Sequence, residues 1–298
     1  MAACFQRNKG PLPVHWSKSA LTNPNNPYFY PVMEPKTISS PQNPLVRKIL
    51  LLKEKSKERR KTGLFVVEGL RELELAHKGG YEFEAILYNP EILGEPKLTA
   101  FSGIFQGDWI QVSPQVYEKL AHRGTTEGVI ALARAKDHGL DSLRFSKKEP
   151  LILVAEAPEK PGNIGALLRT ADAAALDAVL IANPRSDLYG PNIIRSSVGC
   201  VFTTQIGMGS TQEIIAFLQD RDIGIFCASL GASKKYVDCD LTGATAIVVG
   251  TESTGLSPQW IENSDQNLII PMHGQIDSMN VSVSAAILIF EAKRQRGY

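Results

Sequence analysis

Short apolar runs alternate with segments of helical period through the rear half of the chain. The runs are rich in Val, Ile and Ala and are typical of buried strands; they lie at residues 151–155, 178–181, 202–206, 223–229, 246–250 and 267–270. Between them, apolar residues recur three or four positions apart and predict helices at 164–175, 193–199, 211–221 and 281–296. Strands that alternate with helices form a parallel sheet covered on both faces. We therefore predict an α/β fold from residue 151 onward.

The front half predicts a second, smaller α/β domain. Its pattern indicates helices at 43–63, 70–76 and 115–122 and strands at 64–68, 85–88 and 128–133. A polar stretch at 139–150 is typical of a linker. We therefore expect a front domain at 35–138 and a rear domain at 151–298.

Residues 1–34 differ from the rest of the chain. They are rich in Pro and Asn, show neither a helical nor a strand period, and lack the apolar core of a signal peptide. We predict an irregular extension here. A typical domain sequence starts at Met33, so we expect residues 1–32 to be dispensable for folding.

Composition narrows the class of protein. The chain has 298 residues, 43% of them hydrophobic and 21% charged, which is enough for two globular cores. Its net charge is only +1, so binding to a nucleic acid must come from local patches. The four cysteines show no metal-binding spacing, which favours reduced thiols in the cytoplasm and no metal site. A run of eighteen apolar residues does not occur, which argues against a membrane span.

Three polar turns, each directly after a predicted strand, contain the candidate chemistry. In the first, Asn163 is a typical helix N-cap, and Arg169 follows in an otherwise apolar helix. An arginine in that position has two interpretations. It forms a buried structural ion pair, for example with Glu252, or it is held ready for an RNA phosphate or a reacting hydroxyl.

The second and third turns have a similar construction. A glycine-rich turn with Gly250 and Gly255 is the usual nucleotide site of a parallel sheet, but Glu252 between them would repel a phosphate and favours a neutral or cationic nucleoside. An ordinary strand-to-helix turn is the alternative. In the third turn, Ser278 and Asn280 precede a helix, where their side chains either cap the helix or hold a substrate.

In order and spacing, the three turns resemble the three signature motifs of the SpoU/TrmH family of RNA methyltransferases. The resemblance rests on Asn163-x-Gly165-x-x-x-Arg169, on Gly250-x-Glu252-x-x-Gly255 and on the segment 270–283, in which Met279 stands where leucine is commoner. It covers residues 151–298 and extends more loosely to 37–135. It implies a trefoil knot in the C-terminal domain, a ribosomal-protein-like front domain, and a homodimer formed through the C-terminal domain.

The resemblance also implies an activity and a site. The activity is S-adenosylmethionine-dependent methylation of a ribose 2′-hydroxyl in RNA. The implied catalytic residues are Asn163, Arg169, Glu252, Ser278 and Asn280. The implied cofactor-binding residues are Ser229, Leu230, Gly231, Gly250, Thr251, Glu252, Ile270, Met272, Ser278 and Met279. Because a guanidinium is too weak an acid to lose its proton at neutral pH, we expect Arg169 to orient the ribose and stabilise the developing alkoxide.

Two further surfaces are predicted. The segment 43–63 is strongly basic, and it either faces solvent or binds RNA phosphates through Lys53, Lys55, Lys57, Arg59 and Arg60. The apolar run 285–290 on the last helix is a candidate dimer interface. Family members that act on transfer RNA often lack a front domain of this kind, so ribosomal RNA is favoured as the partner and transfer RNA is the alternative.

Two other classes of protein compete with this interpretation. A non-catalytic RNA-binding protein of the ribosomal type would explain the front half but would leave the three turns without a role. A nicotinamide-dependent oxidoreductase would explain the sheet. However, the turn predicted at 207–210 lacks the third glycine of the dinucleotide fingerprint, and no ribose-binding acid ends the next strand.

Overall fold

The computed structural model describes residues 36–122, 127–251, 253–275 and 278–297. The predicted extension at 1–34 lies outside these residues. The described residues form two sheets, a mixed five-stranded sheet in the front half and a seven-stranded sheet in the rear half.

The front sheet carries helices on both faces. Its elements are β1 Lys36–Ile38, α1 Pro44–Glu54, α2 Ser56–Thr62, β2 Leu64–Glu68, α3 Leu70–Lys78, β3 Phe83–Tyr88, α4 Pro90–Leu93, α5 Glu95–Ser102, β4 Asp108–Val112, α6 Pro114–Leu120 and β5 Val129–Arg134. The strand order is β1-β4-β3-β5-β2, in which β1, β4 and β3 run parallel and β5 is antiparallel to β3 and β2. The strands β1 and β4 escaped the sequence analysis, because β1 is short and largely exposed and β4 mixes polar residues into its pattern.

The segment 43–63 is two helices, where the sequence predicted one. Asn43 caps α1 by accepting a hydrogen bond from the backbone N–H of Leu45, and buried apolar residues three positions apart fix one face of this helix. At Lys55 the backbone turns to an extended conformation (φ −109°, ψ 108°) and the chain restarts as α2. The hydrophobic period of α1 does not continue into α2, whose sequence is almost entirely polar.

The rear sheet is parallel throughout. Its elements are β6 Leu151–Glu156, α7 Pro161–Ala173, β7 Ala178–Ala182, α8 Pro191–Ser196, β8 Ile206–Gly209, α9 Thr211–Gln219, β9 Gly224–Ala228, β10 Lys234–Lys235, β11 Thr245–Val249, α10 Pro258–Glu262, β12 Gln266–Ile269 and α11 Val281–Gln295. The strand order is β10-β12-β9-β11-β6-β7-β8, and every neighbouring pair is parallel. Alternate residues of β6 point to opposite faces: Leu153 packs towards α7 and α11, and Ile152 packs towards α9 and α10. The predicted parallel sheet with helices on both faces is confirmed.

One predicted strand is wrong. Residues 202–206 were expected to form a strand, but Cys200–Phe202 is a 3-10 turn and the strand begins at Ile206. Val201 and Phe202 are apolar because they pack beneath the front sheet and not because they belong to a sheet. Gly207 lies inside β8, where a Cβ would come within 2.8 Å of Leu180 and 2.9 Å of Leu143. Ser210 and Glu213 form a capping box at the start of α9.

A single hydrophobic cluster joins the two sheets. The ring of Tyr189 stacks on Phe65 of β2 at a centroid distance of 4.2 Å, and Phe202 stacks on the same ring at 5.8 Å. The hydroxyl group of Tyr189 also lies 3.1 Å from that of Tyr81 and 2.7 Å from Nε2 of His138. Burial lowers the pKa of His138 and raises the pKa of both tyrosines, so the uncharged forms are favoured at this junction.

Arg59 makes an ion pair at the same junction. It is 8% exposed, and its Nε donates to Oδ2 of Asp187 at 2.6 Å while Nη1 donates to the carbonyl of Leu52. Replacing Arg59 with alanine should reduce the free energy of unfolding by about 3–5 kcal/mol, because the buried Asp187 carboxylate would lose its counter-ion. Chemical denaturation followed by circular dichroism measures this change. The exposed neighbour Arg60, replaced in the same way, should cost less than about 0.5 kcal/mol. Equal losses for the two variants would contradict the assignment.

Within the described ranges, every helix is too short or too polar to traverse a lipid bilayer.

Candidate active site

The carboxyl ends of β9, β11 and β12 enclose a pocket of about 440 Å³. Because neighbouring parallel strands end at the same edge of a sheet, the three loops that follow these strands meet there. The described residues predicted to bind the cofactor all line this pocket: Ser229, Leu230, Gly231, Gly250, Thr251, Ile270, Met272, Ser278 and Met279. Glu252, predicted for both the cofactor and the catalytic set, lies outside the described residues.

The loop after β11 folds tightly against itself. Thr251 and Gly255 exchange two backbone hydrogen bonds of 3.1 Å, and the hydroxyl group of Thr251 lies 2.8 Å from that of Thr254. A Cβ at Gly250 would overlap the backbone of Gly255 and come within 2.5 Å of the backbone nitrogen of Leu256. This position therefore requires glycine because two backbone segments meet there.

The loop after β12 ends in a helix cap that also reaches the first predicted motif. Oδ1 of Asn280 accepts a hydrogen bond of 2.9 Å from the backbone N–H of Ser282 and one of 2.6 Å from its hydroxyl group. The amide Nδ2 of Asn280 donates to Oδ1 of Asn163 at 3.1 Å. Asn280 therefore caps α11 and joins the first and third predicted motifs through one amide–amide contact.

A second cavity, of about 330 Å³, adjoins the first. Asn163 and Leu167 of α7 form one side of it, and Gly250, Thr251, Ser253 and Val281 line both cavities. Molecules held in the two cavities would be separated only by this shared wall. The arrangement suits a reaction in which a group passes from one bound molecule to another.

Glu156 is a buried carboxylate in this region that the sequence analysis missed. It ends β6, lines the second cavity, and accepts hydrogen bonds from the backbone N–H of Ser257 at 2.8 Å and the hydroxyl group of Ser257 at 2.7 Å. A third hydrogen bond comes from the hydroxyl group of Thr211 at 3.2 Å. An acid at the end of an otherwise apolar strand was the available signal. The hydrogen bonds from Ser257 to Glu156 hold the segment that follows the β11 loop in place.

Asn163 is not the N-cap of α7, contrary to the sequence prediction. The helix begins two residues earlier at Pro161, whose ring suits the first helical position, and Lys160 is the cap residue. Gly165 lies against α8, where a Cβ would come within 2.6 Å of the Cβ of Ser196. The glycine of the first motif therefore allows two helices to approach closely.

Arg169 lies apart from Asn163 and from both cavities. Six residues along an α-helix correspond to a rotation of about 240°, so Arg169 and Asn163 project about 120° apart. Arg169 is exposed and lines neither cavity. In the described part of the chain it has no hydrogen bond or ion pair, which rules out the buried structural ion pair with any of those residues.

The groups that act on Cys200 show which side of α7 carries Arg169. Burial raises the pKa of the Cys200 thiol, Asp172 adds to this effect, and the positive charges of Arg169 and Arg71 act against it. Arg169 of the rear half and Arg71 of the front half therefore act on the same thiol. The 3-10 turn Cys200–Phe202 contacts both α7 and α3, so the helix that carries Arg169 lies next to the front half.

The basic segment of the front half divides into two groups. Lys53 and Arg59, predicted to bind RNA, point inward: Lys53 pairs with Glu68 at 2.9 Å, and Arg59 is the buried partner of Asp187. The prediction for these two is corrected, because their charges already satisfy buried carboxylates and backbone carbonyls. Lys55, Lys57 and Arg60 are exposed.

The last helix uses only part of its predicted apolar interface. Ala285, Leu288 and Ile289 are fully buried in the protein's own core. Val283 and Phe290 remain 49% and 41% exposed, one helical face away from the core. The candidate interface on α11 is therefore the outer face, and half of the predicted run 285–290 does not belong to it.

Groups of metal ligands do not occur among the residues that could be searched in the structure. Three of the four cysteines are described, and Cys200, Cys227 and Cys239 are free thiols. Burial raises the pKa of Cys227 to about 12, so this thiol is not a nucleophile at neutral pH.

Comparisons with known proteins agree on one family. Residues 150–290 match the model of the SpoU rRNA methylase family, and residues 43–131 match that of the MRM3-like substrate binding domain. The 23S rRNA (guanosine-2′-O-)-methyltransferase RlmB of Pectobacterium atrosepticum is 31% identical over 198 residues, which are 64% of this chain and 81% of the relative.

Two solved structures cover most of both chains. A crystal structure described as an RNA 2′-O ribose methyltransferase has 38% sequence identity and a TM-score of 0.75, and the match covers 88% of this chain and 100% of that one. The SpoU methyltransferase AviRb from Streptomyces viridochromogenes, in complex with the cofactor AdoMet, has 25% identity and a TM-score of 0.78 over 86% of this chain and 98% of its own. The chain thus belongs to the SpoU rRNA methylase family and is an S-adenosylmethionine-dependent RNA 2′-O-methyltransferase.

Proposed function

We propose that this methyltransferase modifies a ribose 2′-hydroxyl in the RNA of the large ribosomal subunit. The observation that carries the proposal is the pair of adjoining cavities, about 440 and 330 Å³, that share a wall at the end of β11. The relative from Pectobacterium atrosepticum acts on 23S rRNA by its name, and residues 43–131 of this chain match a substrate-binding-domain model; both favour ribosomal RNA over transfer RNA.

The first cavity fits S-adenosylmethionine in size and chemistry. Its volume lies in the range of pockets for small cofactors, and its lining combines apolar side chains such as Leu256 and Leu268 with hydroxyl groups and loop backbone. The cofactor supplies a methyl group already activated by its bond to a sulfonium. Ser229 to Gly231, Gly250, Thr251, Ile270, Met272, Ser278 and Met279 would hold it, and the membership of Glu252 in this set stays a prediction.

The chain's own residues would then align the acceptor. We assign the second cavity to the target nucleotide, with Asn163 and Asn280 fixing its ribose through the amide groups that meet at 3.1 Å. Holding the hydroxyl oxygen in line with the reacting carbon is the main acceleration available in such a displacement. Arg169 would orient the RNA and stabilise the negative charge that develops on that oxygen.

A homodimer is part of the proposal. The exposed apolar face of α11 with Val283 and Phe290 supports a contact between two copies, since such a face is costly to leave in water. The position of Arg169 supports it too, because this side chain lines neither cavity and is free to act on a neighbouring copy.

A trefoil knot is a further part of the proposal. From β9 the chain runs to β10 at the sheet edge and returns to β11, and β12 then lies between β9 and β10. The last strand therefore enters a loop that the chain has already formed, which is the arrangement a knot requires. Knots are very rare by the general rules of topology, so the resemblance to the family is needed to support this one.

Two remaining predictions belong to the proposal. The matched segments 43–131 and 150–290 support domains at 35–138 and 151–298 joined by a linker at 139–150. The free thiols of Cys227 and Cys239 support a cytoplasmic location, where thiols stay reduced.

The proposal is tested with unmodified ribosomal RNA. We expect tritium from methyl-labelled S-adenosylmethionine to enter a large-subunit RNA transcript and not a transfer RNA transcript. After alkaline hydrolysis the label should be recovered in a dinucleotide, because a methylated 2′-oxygen cannot attack the adjacent phosphate. Label released as a mononucleotide would show that the methyl acceptor is a base atom. Labelling of transfer RNA alone would contradict the proposed ribosomal RNA substrate.

A further inference from the structure

A cavity of about 530 Å³ lies between the front and rear halves, away from the candidate active site. The end of β2 and the start of α3 form its front wall, and Pro191, Ile194 and Arg195 of α8 form its rear wall. None of the residues implied by the family motifs lines it. Its size exceeds that of the pocket assigned to the cofactor.

Two of the three carboxylates in this cleft, Glu68 and Glu127, accept hydrogen bonds from the protein. Glu68 accepts from Nζ of Lys53 at 2.9 Å and from the backbone N–H of His122 at 2.6 Å. Glu127 accepts from the backbone N–H of Leu70 at 2.7 Å, at the start of α3. Glu72 folds back over the same helix start, with Oε2 2.6 Å from the position that a Cβ on Gly69 would take. Acidic groups at a helix N-terminus compensate the positive end of its dipole.

Two exposed cations line the same cleft, and one of them, Arg71, acts on Glu72: burial raises the pKa of the Glu72 carboxyl, and the charge of Arg71 works against this rise. Arg71 of α3 and Arg195 of α8 are exposed and line the same cavity from opposite halves of the molecule. Neither guanidinium makes a hydrogen bond or an ion pair with any residue in the described ranges. The cleft therefore offers two free planar donors, which suit the bidentate recognition of phosphate oxygens.

The cleft continues in both directions along the surface. A neighbouring cavity of about 360 Å³ shares Lys53, His122, Pro191 and Arg195 with it and adds Lys119 of the front half. On the other side, the 3-10 turn Cys200–Phe202 packs against both α3, which carries Arg71, and α7, which carries Arg169. A basic track thus leads from Lys119 past Arg195 and Arg71 to Arg169, the residue that the family motif assigns to catalysis.

We propose that this cleft binds the sugar–phosphate backbone of a single strand of the substrate RNA, with Arg71 and Arg195 each contacting a phosphate. The inference rests on the proposed function, since it concerns the RNA of the same reaction. In this proposal, the RNA-contact surface of the front half lies at the junction of the two sheets and not on the outer face of α2. There, residues of both halves hold one strand and lead it towards Arg169.

The salt dependence of RNA binding tests this proposal. The probe is a fluorescein-labelled 20-nucleotide oligouridylate, and the variants are Arg71→Gln, Arg195→Gln and their combination. Each lost phosphate contact should flatten the slope of log K against log salt by about 0.7 for a single strand, and thus by about 1.4 in the double variant. Arg71→Lys and Arg195→Lys should keep the slope, because they keep the charge. Lys97→Gln, an exposed cation on α5 outside the cleft, is the matched control.

The outcomes separate the cleft from the proposed function. Calorimetry with S-adenosylmethionine should give the same Kd for the wild type and the double variant, because neither arginine lines the cofactor pocket. An unchanged slope in the double variant overturns the cleft assignment, and so does a Lys97→Gln slope that flattens equally. A wild type that methylates no ribosomal RNA but shows the predicted slopes would instead overturn the proposed substrate.

Discussion

Replacing Arg169 with alanine is expected to lower kcat for methyl transfer by about 10²–10³-fold, the usual effect of removing one group that stabilises developing negative charge. The affinity for S-adenosylmethionine should stay unchanged, because Arg169 does not line the cofactor pocket. The fold should also be unaffected, since the side chain is exposed and makes no hydrogen bond or ion pair to the described parts of the protein. Single-turnover kinetics and calorimetry measure the two quantities separately.

Two matched variants make the Arg169 result specific. Arg169→Lys keeps the charge but loses the planar fork, so it should recover only part of the rate. Arg221→Ala removes an exposed arginine that lies in the turn after α9 and stacks on Phe217, and it should keep the wild-type rate. Near-normal turnover by folded Arg169→Ala would show that the family position has no catalytic role in this chain.

Replacing Gly250 with alanine is expected to weaken S-adenosylmethionine binding by about 100-fold or more. The added Cβ would overlap the backbone of Gly255 and lie within 2.5 Å of the nitrogen of Leu256. Because both neighbours are main chain, the loop must open and the hydrogen bonds between Thr251 and Gly255 must break. Overpacking of this kind costs about 3 kcal/mol, which corresponds to about a hundredfold in Kd. Calorimetric titration with the cofactor measures the effect.

Gly243→Ala is the control for this substitution. Gly243 has open space where a Cβ would lie, so the exchange of glycine for alanine alone should leave cofactor affinity unchanged. If Gly250→Ala bound the cofactor as well as Gly243→Ala does, the loop after β11 could not be part of the binding site. Thermal unfolding of both variants shows whether weaker cofactor binding comes from a distorted loop or from a less stable protein.

The parallel sheet and the meeting of the three turns could be predicted from the sequence for a physical reason. Buried parallel strands are continuous apolar runs, and turns at their carboxyl ends must share one edge of the sheet. The resemblance to the family implied that Gly250, Ser278 and Met279 share one site, and the structure places them in one pocket. Their roles towards the cofactor stay a prediction.

The direction in which a charged side chain points could not be predicted. Arg59 and Arg60 are neighbours in one basic run, yet Arg59 is buried against Asp187 and Arg60 faces solvent. The partner lies 128 residues away, and nothing local in the sequence announces the pair. In the same way, Phe202 was predicted to begin a strand because burial under the front sheet leaves the same apolar signal as burial within a sheet. In both cases, contacts with residues distant in the sequence determine the structure, and a local pattern does not contain them.

The junction between the two sheets also limits how far the front half can move relative to the site in the rear half. Phe65, Tyr189 and Phe202 are stacked there, and the hydroxyl of Tyr189 is held by Tyr81 and His138, so the two halves have little freedom to hinge. A joint of this kind would fix the distance between the proposed RNA contacts of the front half and the methyl donor proposed to bind in the rear half. We expect the enzyme to behave as a ruler: the modified nucleotide is the one at the right contour length from the gripped feature, whatever its base.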